Sequence, residues 1–89
     1  MKIKSGYLVK EVAGTYVVVA VGKRASEFNG MINLNETAAK LWERLEKGAT
    51  EDELVTFLTD TYEVSEEKAK DNVETFVNKL KTAGVIEGE

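Results

Sequence analysis

The hydrophobic period of this 89-residue chain changes once, at Asn35, and the change separates a strand-forming first part from a helical remainder. Before Asn35 the apolar residues come in short β-branched and aromatic runs. Tyr7-Leu8-Val9-Lys10-Glu11-Val12 is bounded by Gly6 and by Ala13-Gly14, and it reads as a strand over 7–12. Thr15 to Val21 carries four valines and is the strongest strand candidate. Ala13-Gly14 between the two reads as a tight hairpin turn. The nearly continuous apolar run over 15–21 predicts a central strand covered on both faces. Residues 22–30 read as a loop closed by Asn29-Gly30, followed by a third strand over 31–34. Three strands with short connections most simply form an antiparallel meander, which makes Met31-Ile32-Asn33-Leu34 an edge.

After Asn35 the spacing is helical. Ala38, Leu41, Trp42 and Leu45 fall at i, i+3, i+4 and i+7, so 36–47 is read as a helix capped by Asn35 and ended by Gly48. Thr50 and Glu53 form a capping box that opens a second helix over 51–61, with Leu54, Phe57 and Leu58 on one stripe. Ser65 caps the longest helix, 66–83, whose stripe is Ala69, Val73, Phe76, Val77 and Leu80. Gly84 stops it, and Val85-Ile86 is expected to fold back onto the core. Strands first and helices afterwards define an α+β fold: a three-stranded antiparallel sheet followed by three helices, winged-helix-like, in one domain over 1–89.

The residue types narrow the chemistry. The chain has no His, no Cys and no Pro. Ser-His-Asp and Cys-His catalysis, Cys/His zinc sites and disulfides are therefore closed to it. Only a carboxylate constellation could be catalytic or bind metal. Glu51-Asp52-Glu53 and Glu66-Glu67 sit instead where first-turn acids meet a helix dipole. Residues 22–30 contain no phosphate-binding glycine motif. The expectation is no enzyme, no cofactor and no metal.

Charge is unevenly placed. The first 34 residues hold five basic and two acidic side chains; the rest hold seven and fourteen, for a net −4. A winged-helix DNA-binding or protein-interaction regulator is the alternative reading of this element order. Lys68, Lys70, Lys79 and Lys81 in the last helix alternate with Glu66, Glu67, Asp71 and Glu74, which would repel phosphates. No nucleic-acid partner is expected. The longest strictly apolar run, Tyr16 to Val21, is far short of the roughly 20 residues that span a bilayer. No apolar segment follows the charged Met1-Lys2-Ile3-Lys4, so a cytoplasmic location is expected.

The most informative feature is the 31–34 strand. Sheet edges expose unpaired N–H and C=O groups and are usually shielded by Lys, Pro or bulges, yet 31–34 holds neither charge nor Pro. Brevity, a dimer partner or an added peptide strand would each account for it.

Gly30-Met31-Ile32-Asn33-Leu34-Asn35-Glu36-Thr37-Ala38-Ala39, with Leu41-Trp42 after it, resembles the signature of the PqqD family. Gly48-Ala49-Thr50-Glu51-Asp52-Glu53-Leu54 and the terminal Leu80…Ala83-Gly84-Val85-Ile86 are similar too, so the likeness runs from about Gly6 to Ile86. The resemblance implies a non-catalytic recognition element for ribosomally made, post-translationally modified peptides. It implies that a precursor's leader adds as a strand to Met31, Ile32, Asn33 and Leu34 and lies against the 66–83 helix. Lys70, Glu74, Val77 and Lys81 are the expected side-chain contacts on that helix. The implied partners are the leader peptide and a modifying enzyme, often a radical S-adenosylmethionine enzyme, with the domain a monomer or dimer. The 22–30 loop, with Lys23, Arg24 and Phe28, is long for the family's second turn and points to a pathway other than cofactor synthesis.

Overall fold

The computed structural model describes residues 1–22 and 32–87. Met31 and the Lys23, Arg24 and Phe28 loop lie outside the described residues. Among the described residues the order is β1 (Lys2–Ile3), β2 (Tyr7–Val12), β3 (Thr15–Ala20), β4 (Ile32–Leu34), α1 (Glu36–Lys47), α2 (Glu51–Thr61), α3 (Glu66–Ala83) and β5 (Ile86–Glu87).

β2, β3 and β4 form an antiparallel sheet in that order, with β3 central and β4 at an edge. The β2–β3 turn has positive φ at both Ala13 (52°) and Gly14 (81°), the condition under which a two-residue turn matches strand twist. The register pairs Val18 with both Val9 and Ile32. Tyr7, Val18, Ile32 and Leu34 therefore share the face that meets the core, and all four are buried. The opposite face is not covered as the valine run predicts. Leu8 and Val12 stand exposed there, and Val17 and Val19 are only half-buried. Centrality alone carried the apolar run: neighbouring strands screen β3 from the sides, and no helix is needed on the second face.

The helices begin and end where their capping residues dictate. Asn35 Oδ1 accepts the Ala38 N–H at 2.8 Å. Thr50 Oγ1 accepts the Glu53 N–H at 3.1 Å while Glu53 accepts the Thr50 N–H at 2.8 Å, completing the capping box. Ser65 Oγ accepts the Lys68 N–H at 3.1 Å. α3 stops at Gly84, which adopts the left-handed conformation (φ 77°). Gly84 N–H then donates to Lys81 O and Val85 N–H to Leu80 O, and both Leu80 and Val85 are fully buried. Trp42, at 1% exposure, is the largest core side chain, and its Nε1 donates to Glu46 at 3.0 Å. In α1 it is Ala39, not Ala38, that joins Leu41, Trp42 and Leu45 in the buried set.

Two short strands are not visible in the periodicity. β1 pairs antiparallel with β5, Ile3 opposite Ile86, so the C-terminal segment folds back onto the N-terminal residues as well as onto the core. Lys4 N–H donates to Val85 O at 2.9 Å, and Ala49 N–H to Met1 O at 2.9 Å. No helix among the described residues is long and apolar enough to cross a membrane.

Candidate functional site

β4 is three residues long, and its pleat divides it cleanly. Ile32 and Leu34 are buried at 6% and 2%, and Asn33 between them is exposed. In an antiparallel pair the N–H and C=O of one residue point to the same side. The Asn33 carbonyl accepts from Lys79 Nζ of α3 at 3.3 Å, so it faces away from β3. The Asn33 N–H faces the same way. Asn33 thus presents a donor and an acceptor, the hydrogen-bonding unit that a further strand requires.

Between β4, the start of α1 and α3 runs a groove of about 370 Å³. Leu34, Leu41, Ala38 and Phe76 give it an apolar floor. Asn33, Asn35, Thr37, Asn72, Thr75 and Lys79 form its polar rim. An extended segment here would place alternate side chains on the floor and in solvent, matching the two-residue period of a strand. Among the described residues Lys79 is the one charged side chain lining the groove, and it has no ion pair with another described residue.

The expected contact residues divide. Ile32, Asn33 and Leu34 form the edge. Lys70 and Glu74 line a different depression, beside Glu51, Asp52 and Val55 of α2. Val77 is 2% exposed and does not line the groove. Lys81 is exposed in the last turn of α3 and does not line the groove. The flank of α3 that faces β4 is instead the one carrying Asn72, Thr75, Phe76 and Lys79. Their i, i+3, i+4, i+7 spacing was legible as a helical row; its position against β4 was not. No group of three or more His, Cys, Asp or Glu among the described residues is placed to hold a metal ion.

The arrangement defines a small α+β domain whose exposed feature is a sheet edge beside an amphipathic groove. The family model for Coenzyme PQQ synthesis protein D (PqqD) matches residues 11–86, and the chain belongs to that family. Two solved structures share its fold. One, described as TbiB1 in complex with the TbiA(beta) leader peptide, superposes with a TM-score of 0.77 at 19% identity, covering 100% of this chain and 98% of that one. The other, a lasso peptide synthetase B1 complexed with the leader peptide, gives 0.74 at 25% identity, covering 98% and 96%. No curated protein matches the chain.

Proposed function

We propose that this protein is a peptide-recognition module that takes the leader of a ribosomally made precursor as an added strand on β4. The observation that carries the reading is the outward-facing backbone of Asn33 beside the groove under α3. Family membership and the leader peptides named with both similar structures support it. Main-chain hydrogen bonds to Asn33 set register with little demand on sequence, and the apolar floor reads alternate side chains. The leader orders on binding and offsets part of the interaction energy, which places the affinity near micromolar, or about 8 kcal/mol.

The module then holds the precursor for a modifying enzyme, of the radical S-adenosylmethionine class or another, and raises the local concentration of the segment to be modified. It contributes no catalytic group of its own and works in the cytoplasm, where such precursors are made. The nucleic-acid alternative has less support: α3 carries four acidic and four basic side chains, so it has no net positive charge for phosphates.

Asn33→Pro is the direct test. It removes the outward N–H and leaves the bonds that Ile32 and Leu34 make to β3, whereas Ile32→Pro would also damage the core. Calorimetry with a peptide selected from a displayed library on the unaltered protein should show at least a roughly tenfold loss of affinity, with the helical circular dichroism unchanged. Full binding by the variant would overturn strand addition at β4.

A further inference from the structure

Lys79 stands apart from the other lysines of α3. Its ammonium reaches across the groove to a backbone carbonyl 46 residues away in sequence, the Asn33 oxygen of the sheet edge. At 3.3 Å the contact is long for an N–H···O bond, and it lies at the surface, so another group can exchange for it. An arriving strand brings its own N–H to the same oxygen. The ammonium is then left in a groove whose other described rim residues are neutral.

We infer, on the reading that β4 accepts a peptide strand, that Lys79 makes this groove select peptides bearing an Asp or Glu within two residues of the one that takes the Asn33 carbonyl. The ammonium moves from the carbonyl to that carboxylate as the strand docks. A charged acceptor is a stronger partner for an ammonium than a neutral carbonyl. In the free protein the same lysine occupies the edge, the device by which sheets discourage pairing with other edges. A peptide without the acid displaces the lysine and returns nothing to it, and that difference is the selectivity.

The test uses a displayed library of random twelve-residue peptides, selected on the full chain and on Lys79→Met and Lys79→Glu. Lys79 is exposed, so both variants should fold, which circular dichroism checks. Peptides selected by the unaltered protein should share an acidic position. Their affinity should fall about threefold to fivefold for Lys79→Met, the range of a surface ion pair. It should fall about tenfold for Lys79→Glu, and changing the peptide's acid to Lys should restore binding to that variant. A pool with no acidic position, or an acidic position indifferent to Lys79→Glu, overturns the inference and leaves strand addition standing, provided binding is still lost in Asn33→Pro. If no selected peptide depends on Asn33, strand addition fails and the inference fails with it.

Discussion

Glu74 and Thr75 are adjacent in α3 but serve different surfaces. Thr75 stands on the rim of the groove beside β4, and Glu74 faces the N-terminal turn of α2. Thr75→Trp should fill the groove and lower peptide affinity by roughly tenfold or more through steric exclusion. Glu74→Ala should leave affinity within about twofold. Both positions are exposed, so melting temperatures should move little. Equal losses in a fluorescence-polarisation titration would mean that the peptide crosses the α2 side of the helix instead. The pair also shows where sequence reasoning reaches its limit. Apolar spacing identifies the buried stripe Ala69, Val73, Phe76, Val77 and Leu80. Such a stripe has two flanks, and the pattern is indifferent to which one meets β4. That choice depends on how α3 packs against α2 and lies beside β4 and α1, which is a property of the tertiary structure. Val77, expected on a flank, lies on the stripe itself and is buried.

At the level of elements, the order and most boundaries were readable because each strand or helix carries its own local signal. Asn35, Thr50 and Ser65 cap the three helices through their own side chains, and Gly84 ends the last. β1 and β5 were not readable, because two residues cannot display a period and their pairing joins opposite ends of the chain. The β2–β3 hairpin was readable as a turn, yet its composition is imperfect. Ala13 occupies a left-handed conformation that costs an L-residue with a Cβ about 1–2 kcal/mol. Asn tolerates that conformation, and Asn-Gly is the preferred pair for such turns. Ala13→Asn should stabilise the protein by roughly 0.5–1 kcal/mol and raise the melting temperature by about 2–8 °C. Thermal unfolding followed by circular dichroism would measure it. A lower melting temperature would show that the turn gains nothing from a residue suited to positive φ. Peptide affinity should hold, since the turn joins β3 to β2, while the proposed peptide edge is on β4, the other neighbour of β3.

For the whole molecule, the β4 edge sits at the margin of a core that the two terminal segments help to close. β1 packs against α1, and α1 supplies Leu41 and Ala38 to the floor of the groove. Ile3 is 6% exposed on β1, and Val85, which enters β5, is fully buried. Met1 O and Lys4 N–H tie the same segment to Ala49 and Val85. A domain of this size has a total stability near the low end of about 5–15 kcal/mol, so one core position weighs heavily. Ile3→Ala removes a branched side chain from that junction and should cost about 2–4 kcal/mol. Lys2→Ala, one residue away and exposed, should stay within about 0.5 kcal/mol. Urea titration of the two variants gives the comparison. In buffer, where Ile3→Ala remains mostly folded, peptide affinity should be close to that of the unaltered protein, because Ile3 does not line the groove between β4 and α3. If Ile3→Ala shifts the urea midpoint no further than Lys2→Ala, the β1–β5 ribbon frays independently of the core, and the stability of the β4 edge rests on the sheet and the three helices alone.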